Sequence, residues 1–314
     1  MHRVIGIDEA GYGPNLGPLV VGLTSWETSD GEASALWEVF SGFIARTPGI
    51  PNRLLVADSK VVLSGRMGFR RLETAVLSFL QLCGHVPCSL RDVVAMLAGP
   101  ATWDLWQQSP WFEGPGTRIP VEGDADEIRC QADGWRDACA DAGLAVPTVA
   151  VSTLTASCFN KALERDDNKA AVLSRCSLAL LSRYADPDDP CRTTVQADKH
   201  GGRNRYHEFL AEAFGDQLVM TRAEGADSSH YQVGSVDVRF EPRSESHFHV
   251  ALASMVAKYV REIAMMAFNT WWGQRSPGLQ PTKGYPVDAK RFLGDVEPLL
   301  PMLSVERQVL WRQR

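Results

Sequence analysis

Residues 4–18 read VIGIDEAGYGPNLGP, an apolar run that closes on two adjacent carboxylates, Asp8 and Glu9, and passes at once into a turn rich in glycine and proline. Val4, Ile5 and Ile7 have the pattern of a buried strand, and strand neighbours point to opposite sides, so Asp8 and Glu9 cannot share one face of a regular strand. Such a pair suggests oxygen ligands for a divalent metal rather than a solvated edge. Gly11 and Gly13 are expected to take positive φ and to come close to a ligand, with Pro14 and Pro18 fixing the exit. A turn of this kind beside acids suits a phosphodiester held over divalent ions. The short DE-x-G string alone also reads as an ordinary turn.

The elements that would position these groups follow along the chain. LVVGLTSW (19–26) continues from Gly17-Pro18 as a second strand, implying an antiparallel opening. ADSK (57–60) precedes a helical pattern over 65–82 with Phe69, Leu72, Val76, Leu77 and Leu80 on one face, and places Lys60 at the helix approach. Strands are expected at 148–154 and at 193–198, the latter ending in Asp198 before a basic turn with Lys199, His200, Arg203 and Arg205. A helix over HEFLAEAFG follows, then two β-like stretches at 217–225 and 236–245. The long apolar helix HVALASMVAKYVREIAMMAFNTWW carries Ala251, Ala253, Ser254 and Ala257, small enough to pack closely on a sheet. A Gly-Tyr-Pro turn at 284–286 then enters a charged helix.

The stretch from about 84 to 147 has a different character, with Trp103, Trp106, Trp111 and Trp135 among Gly, Pro and acidic residues. It reads as an insertion or subdomain whose tryptophans form a small core of their own, with base stacking as the competing use. The 314 residues and 45% hydrophobic content suffice for one large domain, read as 1–314 with a C-terminal helical part over about 247–314. There is no span of membrane length and no leader pattern before the first strand, so a cytoplasmic protein is expected. Seven cysteines without a C-x-x-C pair argue against both a disulfide framework and a structural zinc site. The net charge of −6 lacks the basic footprint usual in nucleic-acid binding, although acidic metal ligands lower net charge and a local basic strip can still meet phosphate.

GIDEAGYGPNLGP, ADSKVVLS, the Asp198 strand with its basic turn, and HVALASMVAKYVRE followed by KGYPVDAKRFL occur in an order that resembles type 2 ribonuclease H, the HII and HIII enzymes. FNKALERDDNKAAVLSR (159–175) is similar to a segment of the HIII enzymes, yet no HIII-type N-terminal domain precedes the first motif, so a divergent member is expected. The resemblance implies an α/β fold: a ribonuclease H-like core with a mixed β-sheet flanked by helices. It also implies hydrolysis of the RNA strand of an RNA–DNA hybrid, or of a ribonucleotide-containing duplex, with Mg2+ or Mn2+. A monomer acting without a membrane is expected.

By the same resemblance Asp8, Glu9 and Asp198 take three of four acidic positions. The fourth falls to Glu245, with Glu224 as the alternative and Asp227 as a third possibility. Gly11, Tyr12, Gly13, Lys60, Lys258 and Tyr285 match substrate-binding positions, and Lys283 matches a further basic one. Tyr12 stands where the family has arginine, which removes a bidentate phosphate contact and puts cleavage at single ribonucleotides in question. His247 and His249 read as local polar packing rather than proton carriers. Another nuclease on the same core, or a catalytically altered binding protein, are the rival readings.

Overall fold

Nine residues beginning at His2 form β1 (His2–Ala10), and the chain turns back as β2 (Leu19–Thr28), antiparallel to it from His2↔Thr28 to Ala10↔Val20. The computed structural model describes residues 2–28, 35–114, 116–166 and 168–313, so Asp167 of the 159–175 segment lies outside it. After β2 come α1 (Ala35–Val39), a small ladder of β3 (Ile44–Ala45) with β4 (Leu54–Leu55), α2 (Ser59–Val62) and α3 (Gly68–Leu82). Next are α4 (Leu90–Ala98), α5 (Pro100–Trp106) and α6 (Ala125–Asp141), then β5 (Thr148–Leu154), α7 (Ala156–Asp166) and α8 (Lys169–Leu181). β6 (Arg192–Asp198) leads through α9 (His207–Phe214) to β7 (Val219–Glu224), β8 (Ser229–Val233) and β9 (Val236–Glu241). The chain closes with α10 (Phe248–Arg275), α11 (Pro286–Val296) and α12 (Arg307–Leu310).

The main sheet is mixed, in the order β5-β2-β1-β6-β9-β8-β7, and β1, β6 and β9 run parallel at its centre. Strand alternation splits its residues between two cores. Ile5 and Ile7 join Leu19, Val21 and Leu23 against α7, α8 and α9. Val20, Trp26, Val149 and Val151 face the layer built from α3 to α6 and α10. On that second side α10 lies so close that a Cβ at Gly6 would sit 2.3 Å from the His249 carbonyl carbon, and one at Gly22 would sit 2.4 Å from the Ala253 oxygen. The backbone of α10 therefore meets glycines, which brings the helix onto β1, the strand that carries the acidic pair, and onto its neighbour β2.

Three expectations change. The helix expected over 65–82 begins at Gly68, because Asp58 caps a separate turn, α2, by accepting from the Lys60 amide at 2.8 Å, and Gly65 breaks the chain with φ +73°. Where two β-like stretches were expected there are three strands. β8 was concealed because only Ser229, Tyr231 and Val233 point inward, between polar neighbours. The tryptophans of 84–147 do not form a core of their own. Trp103, Trp106, Trp111 and Trp135 are buried in the core shared with Trp26, Phe79 and α10, and Trp135 meets Phe40 at 5.1 Å and Trp26 at 6.5 Å between ring centres. With their rings enclosed, base stacking is not open to them.

Candidate active site

The acids gather where the parallel strands end. The register sets Ile7 beside Ala197 and Asp198 beside Glu241, so Asp8 follows directly beside Asp198 at the carboxyl ends of β1 and β6. In open α/β sheets this end, beside a change of strand direction, is where ligands bind. Asp8 has the parity of Gly6 and faces α10, where Ser254 hydrogen-bonds it, and Ser254 in turn reaches Ser59 of α2 at 3.4 Å. Glu9 faces the other way, toward Tyr12 and Tyr206. Asp198 accepts from the backbone amides of Lys199 at 2.9 Å and Arg243 at 3.1 Å. Glu245 stands in a single 3-10 turn, Ser244–Ser246, between β9 and α10.

The electrostatics tie these acids together. Burial raises the Asp8 carboxyl to about 7, and the charges of Glu245 and Asp198 push the same way, against hydrogen bonds from Ser254 and Glu9. Burial also lifts Glu9 well above the usual carboxylate range, helped by Asp8, Asp198 and Glu245. Glu245 is raised by burial and by Asp198 and Asp58, with Lys60 opposing. The negative charges gathered here favour any added positive charge.

Glu224 is placed elsewhere. It ends β7, the outer strand of the sheet, where it accepts from the Tyr231 hydroxyl at 2.6 Å and lies 3.7 Å from Arg205. Asp227 is exposed in the β7–β8 turn, where its charge acts on Lys199. The geometry thus groups Glu245, not Glu224 or Asp227, with Asp8, Glu9 and Asp198. Asp58 was not foreseen as part of the site. It caps α2 and lines, with Lys60, Asp198, Arg243 and Glu245, a cavity of about 550 Å3 beside the acids. The acid in ADSK was the available signal, but a helix cap accounts for the same residue type.

Gly11 takes φ +93°, and a Cβ there would meet the Pro18 oxygen at 2.5 Å, so this position requires glycine. Gly13 does not behave as expected: its φ is not positive and a Cβ would meet nothing, whereas Gly17 has φ +79°. Tyr12 rests on the basic turn, with its hydroxyl so near Gly201 that a Cβ there would clash. The amides of Asn15 and Leu16 donate to the Gly284 oxygen at 2.8 and 3.3 Å, which joins the glycine-rich turn to the Gly-Tyr-Pro turn, and Tyr285 stands half exposed at the entry of α11. Arg261 of α10 ties the same two segments by donating to the Leu16 and Lys283 oxygens, both at 3.1 Å. Beneath the turn, the buried Arg312 donates to the Gly11 and Pro14 oxygens.

Lys60 is exposed, while Lys258 is paired with Glu262 at 2.8 Å. His247 contacts Gln196 at 3.0 Å and Glu241 at 3.8 Å, as polar packing requires. His249 departs from that expectation, since among the described residues neither of its buried ring nitrogens has a hydrogen-bond partner.

The donor set is all oxygen, partly buried and mutually repelling, which suits a hard divalent cation. Among the described residues, no three acids, histidines or cysteines stand close enough together to hold a metal as placed.

No family model matches the chain, and no curated protein matches it. Among solved structures it is similar to the ribonuclease HII of Archaeoglobus fulgidus determined in a PCNA complex, at 15% identity over 99% of this chain and 94% of the other, with a TM-score of 0.50. It is also similar to ribonuclease H2 from Pyrococcus horikoshii, at 14% identity over 98% and 92% of the two chains, with a TM-score of 0.49. A third is Bst-RNase HIII in complex with Mn2+, at 15% identity over 99% and 66%, with a TM-score of 0.43. The first of these establishes a fold of the ribonuclease H type, a mixed sheet between helical layers. Among the described residues no helix is long and apolar enough to cross a membrane.

Proposed function

We propose that the chain is a metal-dependent endonuclease that hydrolyses the RNA strand of an RNA–DNA hybrid or a ribonucleotide-containing duplex, acting as a cytoplasmic monomer. One observation carries this reading: Asp8, Glu9, Asp198 and Glu245, drawn from three elements, share one electrostatic site at the carboxyl end of the parallel strands. Buried acids that raise one another's proton affinity serve no packing purpose, and a bound cation would remove the penalty.

Asp8, Asp198, Glu245 and Glu9 would hold Mg2+ or Mn2+, which supplies activation of the attacking water and stabilisation of the leaving 3′ oxygen. The fit is one of donor chemistry. Ser254 orients the Asp8 carboxylate, and the amides of Lys199 and Arg243 orient Asp198. Gly11, at positive φ, would bring backbone to the substrate, and Tyr285, half exposed, would meet a 2′-hydroxyl, the group that separates RNA from DNA. Gly13, Lys60 and Lys283 are exposed and would meet phosphate; Lys258 would first have to leave Glu262. Tyr12, held on Gly201, cannot replace a guanidinium, so longer ribonucleotide tracts are expected to be preferred over single ribonucleotides.

The test is cleavage of labelled duplexes carrying one ribonucleotide, four, or a full RNA strand, with Mg2+ or Mn2+, by the wild-type chain and Asp8→Asn. Metal-dependent cutting that disappears in the variant is the expected result. A folded wild-type chain that cuts none of the duplexes with either metal overturns the reading in favour of a binding protein.

A further inference from the structure

The cavity beside the acids is lined by three carboxylates, Asp58, Asp198 and Glu245, and by three cations, Arg46, Lys60 and Arg243, with the indole of Trp37. Opposite charges around one space of about 550 Å3 would ordinarily close into pairs. Among the described residues, none of these three cations forms an ion pair with a carboxylate, although the charge of Lys60 is felt at Glu245.

They are held apart by other means. The Arg46 guanidinium lies 4.4 Å from the centre of the Trp37 ring. That ring is itself fixed, because its N–H donates to the Ser246 oxygen at 2.8 Å and it meets Phe248 edge-on at 5.2 Å. Arg243 takes a left-handed backbone at φ +63°, a conformation that favours glycine. A hydrogen bond from its backbone N–H to the Asp198 carboxylate, at 3.1 Å, holds it there. Lys60 is carried on the capped turn α2.

We propose that Arg46, Lys60 and Arg243 form a subsite for a backbone phosphate of the bound duplex, adjacent to the acids, with Trp37 as the positioning residue for Arg46. This rests on the function proposed above and names how part of the substrate is held. The separation of charge is the argument: acids left unpaired keep their charge for metal, and cations left unpaired keep theirs for phosphate. The space matches a nucleotide-sized group.

The test uses the full chain carrying Asp8→Asn as parent, with Mg2+ and a labelled RNA–DNA hybrid, and reads affinity by fluorescence anisotropy from about 50 to 200 mM salt. Arg46→Ala and Arg243→Asn are each expected to bind about tenfold more weakly at the lowest salt, with the slope of log K against log salt smaller by about 0.9. Trp37→Phe should weaken binding about threefold, through Arg46. Arg222→Ala, on the outer strand β7, is the control for charge removed elsewhere, and near-ultraviolet circular dichroism verifies the fold of each variant. Unchanged affinity and slope in both arginine variants, or an equal loss in the control, overturns the subsite. If the wild-type chain cuts the hybrid while the variants bind as the parent does, the subsite alone fails; if the wild type neither cuts nor binds, the underlying function fails with it.

Discussion

Asp8→Asn isolates the cost of gathering acids at the strand ends. The ordinary aspartate value is 3.8 and the native Asp8 carboxyl stands at about 7, so between these values the native chain retains a proton that the unfolded chain has released. Stability therefore falls as pH rises through this window and stays reduced above it. At about 1.36 kcal/mol per pH unit, the gap sets a ceiling of roughly 4 kcal/mol at neutral pH. Asparagine keeps the shape and an acceptor for Ser254 but carries no charge, and its presence also relieves Glu9, while the native site relaxes in part. A gain of about 2 kcal/mol over wild type is expected at pH 8 in EDTA, vanishing below about pH 4. Urea unfolding across pH measures it. Adding Mn2+ at pH 8 should stabilise wild type more than the variant and so narrow or reverse the gap. A variant no more stable than wild type at pH 8 in EDTA would refute the electrostatic account of the site.

Other consequences can be checked in parallel. Glu245→Gln should lower kcat on a hybrid by at least about tenfold, whereas Glu224→Gln, bonded to Tyr231 on the outer strand, should stay within about twofold; steady-state cleavage of one labelled substrate compares them. Gly6→Ala forces a Cβ into the His249 backbone, so a loss of about 3 kcal/mol or failure to fold is expected, read from the urea midpoint. Burial lowers His249 from 6.5 to about 3, so the unfolded chain takes up a proton that the native chain refuses and stability is lost as pH falls below 6.5. Relative to His249→Leu, wild type should lose about 2 kcal/mol between pH 7 and pH 5, and a flat difference would mean that the ring is charged inside the fold.

How much of this was legible in the sequence follows from the range of the interactions. β1, β2 and α10 could be read because each is a long, mostly buried run in which composition and period agree, and β6 because a short β-rich run ends in an acid before a basic turn. β8 was not separately legible, since an outer-sheet strand with Ser229, Tyr231 and Val233 inward mixes polar and apolar residues on its buried face. The four tryptophans advertised a core but not whose core, because that depends on α10 passing over them from a hundred residues further along the chain. Asp8, Glu9 and Asp198 stood out as acids at the ends of apolar strands. The fourth acid stayed open between Glu245 and Glu224 because its place depends on strand order: only with β7 at the outside and β9 beside β6 does Glu245 fall beside Asp198. Arg46 and Trp37 left no mark at all, since their 4.4 Å contact joins a turn to a five-residue helix with no period to read. Residues whose neighbours are supplied by the same strand announce themselves, and those whose neighbours come from a different layer do not. The cations of the proposed phosphate subsite come from three separate segments and belong to the second kind.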